Sequence, residues 1–289
     1  MTIAKRILIG AAALVLCLTA VTACSGDEAA APLKVGSSGS PDLRAAAAIY
    51  ASALTRSGLP ATVVDAPAGS DSTMLDDLGA GRIVLFPAFT GNLLTLLSTE
   101  PSATTGDELI ADVNRSLPQG VAIGDPTGVS DRAQLLVASS VRERHGVSGI
   151  TDCGKLPPGL PLVTVSGIDQ ATLGAFASCP HGLVERLATP EAVVDRVATG
   201  EALGVLRALQ SAEVADLGDV QAIGAPDAVR AQDLVPVFSS GRLAKAQLKQ
   251  LSRVAGELST ADLAELGRRV AAGEDPRAVA ASWISAHGV

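Results

Sequence analysis

The sequence predicts a two-lobed α/β protein whose doubly wound sheets are joined by two crossovers. Three observations carry that expectation. Short apolar, β-branched runs alternate with helix-forming stretches in the order β-α-β-α-β-α from residue 33 onward, with short connections between them. About 257 residues follow residue 32, room for one large domain or two lobes with a real core. Two breaks, one at Asp125-Pro126-Thr127-Gly128 and one around residues 209–217, set a middle block apart from its flanks.

The chain opens with Lys5 and Arg6, followed by an uncharged apolar run over residues 7–18 that is too short to span a membrane. Val21-Thr22-Ala23-Cys24 ends that run, and residues 1–23 read as a signal peptide. Small residues before a cysteine resemble a bacterial lipobox. That implies a lipidated Cys24, a polar tether over residues 24–32, and an extracytoplasmic protein held to the membrane through its lipid anchor. Export puts the remaining thiols in an oxidising compartment. Cys153 and Cys179 are left as an even pair and are expected to form a disulfide.

Net charge is −8 and the basic residues are scattered, so nucleic acid is not an expected partner. The chain has three histidines, no Gly-x-Ser-x-Gly elbow, no metal-spaced cluster and no nucleotide fingerprint. Neither catalysis nor a metal or cofactor is expected.

Residues 33–36 read as the first strand. Ser37-Ser38-Gly39-Ser40 forms a polar loop, and an alanine-rich helix follows over residues 43–57, with Pro41 and Asp42 suited to its first turn. A strand over residues 61–65, a small polar loop containing Gly69 and Ser70, and a helix over residues 73–79 come next. Residues 83–86 have the length and β-branching of a buried parallel strand. Pro87 cannot donate to a ladder and is expected to end it. Ala88-Phe89-Thr90-Gly91 is then a loop into the next helix. The chain is only 2% aromatic, yet two of its four phenylalanines, Phe86 and Phe89, stand here. Phe86 suits a core. Phe89, on a loop, suits a binding wall. The three strand-end loops would line one sheet edge, where α/β sheets hold ligands.

Residues 121–124 read as a strand leading out of the first lobe. The second lobe opens on the apolar run at residues 134–139 and continues with strands at 160–165 and 202–206 and helices at 168–176 and 193–199. Residues 219–223 read as the strand that returns. The expected division is residues 33–125 plus 218–289 for lobe 1 and 126–217 for lobe 2. Three helices form the tail, the last carrying Trp283 as a core residue.

The stretch Gly81-Arg82-Ile83-Val84-Leu85-Phe86-Pro87-Ala88-Phe89-Thr90-Gly91 resembles the osmoprotectant-binding lipoproteins of ABC importers, the glycine betaine, choline and carnitine class. So does the tail, through Leu258-Ser259-Thr260-Ala261-Asp262-Leu263, Gly273-Glu274-Asp275-Pro276 and Trp283-Ile284. The resemblance spans roughly residues 33–289 and is to a divergent, actinobacterial-type member. It implies a type II periplasmic-binding-protein-like fold, a monomer, a small-molecule ligand caught between the lobes, and ABC permease subunits as membrane partners. It places ligand contacts at Ser37, Ser38, Gly39, Ser40, Gly69, Ser70, Phe86, Phe89 and Thr90.

Members that bind quaternary amines use a cage of aromatic rings, through cation–π attraction. This chain departs from that pattern. Ala88 stands at the acidic position between the proline and the second ring. Ser130-Asp131-Arg132-Ala133 replaces Asn-x-Thr-Tyr, and Ala208-Leu209-Gln210-Ser211 replaces Thr-Thr-Asp. At most half a cage is expected, from Phe86 and Phe89. Asp131, Arg132, Arg207 and Gln210 are the candidates near the crossovers, where an arginine would favour a carboxylate or another anion. The expected function is capture of a small osmoprotectant-like solute. The alternatives are an anionic or neutral ligand, or a scaffold role in the envelope without transport.

Overall fold

The computed structural model describes residues 31–65, 71–214 and 216–289. The signal peptide, Cys24 and its tether, and the loop residues Gly69 and Ser70 lie outside the described residues.

Lobe 1 opens with β1 (Leu33–Ser37), α1 (Pro41–Arg56), β2 (Ala61–Asp65), α2 (Asp71–Gly79), β3 (Leu85–Phe89), α3 (Thr90–Leu97), α4 (Gly106–Ser116) and β4 (Val121–Ile123). Lobe 2 holds β5 (Ala133–Ala138), α5 (Ser139–His145), a 3-10 turn (Ile150–Lys155), β6 (Leu162–Val165), α6 (Gln170–Gly174), β7 (Val184–Leu187), α7 (Pro190–Ala198), β8 (Leu203–Arg207), α8 (Ala208–Glu213) and β9 (Val220–Ala222). The chain then returns to lobe 1 for β10 (Leu234–Ser239), α9 (Lys245–Glu257), α10 (Thr260–Ala271) and α11 (Pro276–His287). The sheet orders are β2-β1-β3-β10-β4 and β7-β6-β8-β5-β9. Each is parallel on one side and antiparallel on the other, with β10 and β5 reversed against both neighbours. This is the two-lobed type II periplasmic-binding-protein-like fold. Among the described residues no helix is long and apolar enough to cross a membrane.

Helix α1 begins where Ser40 accepts a hydrogen bond from the Leu43 N–H, with Pro41 in the first turn. Its alanines keep it slim, and α10 and α11 pack closely on it. Gly267 of α10 shows how closely, because a Cβ there would sit 2.8 Å from Asp42 Oδ1.

Three expectations need correction. First, Pro87 does not end its strand. It faces Pro236 of β10, flanked by Phe86↔Val237 and Ala88↔Val235. In an antiparallel ladder alternate pairs exchange no hydrogen bonds, so two prolines can face each other. The missing N–H is felt on the other side, where β3 meets β1 only at Val35↔Leu85.

Second, Ala88-Phe89-Thr90-Gly91 is not a loop. The strand runs to Phe89 and α3 starts at Thr90. The Thr90 N–H donates to the Asp233 carbonyl, and Thr90 Oγ1 accepts from the Asp233 N–H, both at 3.0 Å. A Cβ at Gly91 would lie 2.5 Å from the Ala231 carbonyl oxygen. Thr-Gly in this stretch is therefore the seat of the second crossover.

Third, residues 219–223 do not return to lobe 1. β9 pairs with β5, and the Ile223 N–H donates to Leu135 O at 2.8 Å. The return comes at Ala231, whose N–H reaches Thr104 O, and continues as β10. The other crossover also leaves later than expected. Thr127 donates to Leu234 O through N–H and hydroxyl, and Ser130 bridges to Asp233, so the chain leaves lobe 1 only at residues 131–132. Residues 209–217 begin in α8, which packs on α10 with Leu209 in the lobe 1 core. Lobe 2 holds its own core around Phe176 and the Cys153–Cys179 disulfide.

Candidate functional site

The carboxyl ends of β3 and β6 face each other across the gap between the lobes, as ligand-holding edges of α/β sheets do. There a cavity of about 430 Å³ is lined by Asn92 and Thr95 of α3 and by Gly167, Ile168, Asp169 and Thr172 around the start of α6. Asp131, Ala133 and Arg207, with Val229, Arg230 and Gln232 of the second crossover, form its floor. The volume suits a small solute. Its position, with the crossovers at the back, is where two lobes close on a ligand. A second cavity of about 440 Å³ lies on the outer face of lobe 1, between α1, β2 and α11. It is apolar and away from the lobe junction.

Most polar groups of the cleft are already committed. Arg230 donates through Nε to Ala103 O, Nη1 to Thr95 Oγ1 and Nη2 to Pro101 O, at 3.2, 2.8 and 2.7 Å. Gln232 Oε1 accepts from the Asn92 N–H and its Nε2 donates to Asn92 Oδ1. Asp169 caps α6, accepting from Thr172 N–H at 2.7 Å and from its hydroxyl at 3.0 Å. Arg207 differs. Its Nε lies 3.4 Å from Asp131 Oδ2, and its side chain is 44% exposed against 6% for Asp131. Asp131 Oδ1 accepts from the Leu209 N–H at 3.0 Å.

Burial pushes the Asp131 carboxyl up to about 6, while Arg207 and the Leu209 N–H hold it back. Burial, with Asp42 and Asp131 nearby, pushes Glu213 up to about 6 as well, and burial also raises Asp42. Arg207 thus stands among three desolvated carboxyls at the lobe junction.

The sequence candidates divide. Asp131 and Arg207 line the cleft. Arg132 does not, because its Nε donates to Val229 O at 2.8 Å and its Nη2 to Pro226 O at 2.7 Å, stitching one crossover to the other. Gln210 Oε1 accepts from the Arg207 N–H at the start of α8. Ser37 is buried and donates to Ser38 O, Ser40 caps α1, and Ser38 and Gly39 sit on the lobe 1 rim outside the cavity wall. Thr90 is committed to Asp233.

Phe86 takes the core position its strand suggested, whereas Phe89 is not on a loop, and neither forms the half-cage that the resemblance implies. Three residues apart on one strand, they point to opposite faces of the sheet. Phe86 joins the core with Met74 and Leu109, and Phe89 the core with Leu43 and Leu234. All six aromatic residues of the chain are buried, none more than 6% exposed, and none lines the cleft. The missed wall residues Asn92, Asp169, Arg230 and Gln232 come from short polar connections with no distinctive pattern. Among the described residues no group of three or more His, Cys, Asp or Glu could hold a metal.

A family model described as the substrate binding domain of ABC-type glycine betaine transport systems matches residues 31–212. A search of the curated proteins found no match. Apo YehZ from Escherichia coli is similar in structure, with a TM-score of 0.71 at 18% identity over 90% of this chain and 99% of that one. A glycine betaine/carnitine/choline ABC transporter structure gives 0.74 at 14% identity, over 89% and 98%. Lactococcal OpuAC, closed on glycine betaine, gives 0.54 at 11% identity, over 89% and 96%. Identities this low carry the fold alone.

Proposed function

The chain belongs to the family of substrate-binding domains of ABC-type glycine betaine transport systems, and from that premise we propose that it captures a small osmoprotectant-like solute between its lobes and delivers it to ABC permease subunits. At the coarser level it is an extracytoplasmic solute-binding protein of an ABC importer, a binding protein and not an enzyme. The observation that carries the proposal is the polar cleft of about 430 Å³ at the junction of two lobes joined by two crossovers. Closure of such lobes buries a solute and presents one closed shape to a permease. The proposal includes a monomer anchored through Cys24, supported by the apolar leader and the small residues before that cysteine.

A second reading within the same role is a solute other than a quaternary amine, anionic or neutral. The absence of any ring from the cleft wall favours it. A thermal-shift screen of the full chain tests both. The panel would hold glycine betaine, choline, carnitine, proline betaine, small carboxylates and sugars. Binding to the native state must raise the melting midpoint, and at least one compound is expected to raise it by several degrees. A panel with no shift would contradict solute capture and support a scaffold role.

A further inference from the structure

Resting on that solute-capture role, we propose that Arg207 anchors a carboxylate of the solute, and that Asp131 releases the guanidinium to it and takes a proton from solvent instead. Arg230 and Arg132 spend their donors on backbone carbonyls and the Thr95 hydroxyl. Arg207 makes one side-chain ion pair among the described residues, the long Nε contact to Asp131, with Asp42 and Glu213 within electrostatic reach. No hydrogen bond to the two terminal nitrogens of Arg207 is found among the described residues, and the side chain that carries this planar fork is 44% exposed on the cleft wall. Such a fork matches a carboxylate with two parallel hydrogen bonds. No ring offers a face to a quaternary ammonium, so the anionic end is what this cleft is equipped to read.

The exchange follows from what surrounds Asp131. Arg207 faces it from the end of β8, the Leu209 N–H from α8 and Asp42 from α1, and Glu213 stands near at the end of α8. Its neighbour Arg132 is turned onto the second crossover. Apart from Arg207, the charged groups around Asp131 are carboxyls. If a solute takes Arg207, a charged Asp131 is left buried without a counterion, which is strongly unfavourable. Protonation removes that cost. In the free protein burial already holds Asp131 at about 6, so little is needed to complete the step. The sign is fixed. Above about pH 6 binding takes up as much as one proton, and affinity falls by up to about tenfold per pH unit. Below that value Asp131 is already protonated and the dependence flattens.

The test is calorimetric titration of the full chain in detergent with lactate, glycerate, choline and glycerol, at about pH 6 and about pH 7.5. Lactate or glycerate is expected to bind, choline and glycerol not. The dissociation constant should rise more than about tenfold between the two pH values. Asp131→Asn should keep carboxylate binding and flatten its pH dependence. Arg207→Gln should abolish binding with the circular dichroism spectrum unchanged. Arg207→Lys, which keeps the charge but not the fork, should weaken it about tenfold or more. Carboxylate binding that survives Arg207→Gln, or that ignores pH, overturns the inference. So does the failure of both carboxylates at both pH values. If choline or glycerol binds while the carboxylates do not, the inference fails and solute capture stands.

Discussion

Lobe 1 buries Tyr50, Phe86, Phe89, Phe238 and Trp283, whereas lobe 2 buries Phe176 alone and adds the Cys153–Cys179 bond. Lobe 1 builds its larger core around α1, with α9, α10 and α11 packed against it, and a second core with Phe86 on the other face of its sheet. Lobe 2 also has a core on each face of its five-stranded sheet, but both are smaller than the core around α1, and one is closed with a covalent staple. In a chain with so few rings this difference has a functional meaning. The rings stabilise the larger lobe, and the cleft is left to charge and hydrogen bonding.

The largest effect that would break this comparison is in lobe 1. Phe86→Ala and Phe89→Ala should each cost about 3–5 kcal/mol, read from denaturant midpoints. If Phe89→Ala left stability unchanged but removed solute binding, that ring would be a binding wall after all. Next comes the staple. Replacing Cys153 and Cys179 together by Ala should cost about 3 kcal/mol by the loop-entropy estimate, for partners 26 residues apart. Equal melting midpoints with and without reductant would mean the small core needs no staple.

Arg132→Met should cost about 2 kcal/mol through two lost charged hydrogen bonds between the crossovers. It should also broaden the range of lobe angles seen by small-angle scattering. The smallest effect concerns Tyr50. Its hydroxyl is buried with no hydrogen-bond partner among the described residues. Tyr50→Phe should leave stability unchanged or raise it by about 1 kcal/mol, since an unsatisfied group is removed and the ring stays. A clear loss would reveal a partner.

The start of lobe 1 was legible in the sequence because its signals are local. β2 carries its full pattern in residues 61–65, and α1 announces itself through Ser40, Pro41 and a run of alanines. The crossovers were not legible, because which sheet a short strand joins depends on distant partners. The run at residues 219–223 looks the same whether it pairs with β5 or enters lobe 1, and β10 hides behind Pro236, a residue that argues against a strand until its partner is Pro87. The cleft was half legible. Asp131 stood out in a segment that departs from the family pattern and Arg207 as an arginine near a crossover, but Asn92, Asp169, Arg230 and Gln232 reach it only through tertiary placement. Phe86 and Phe89 were drawn towards the cleft by their rarity, which says nothing about which face of a sheet a ring takes.

The central claim is that this cleft reads polar and charged groups and not a quaternary ammonium. Calorimetric titration of the full chain with choline tests it most directly, because choline presents that cation without a carboxylate. The account predicts no saturable binding below the millimolar range. Saturable binding of choline at micromolar concentration would contradict it.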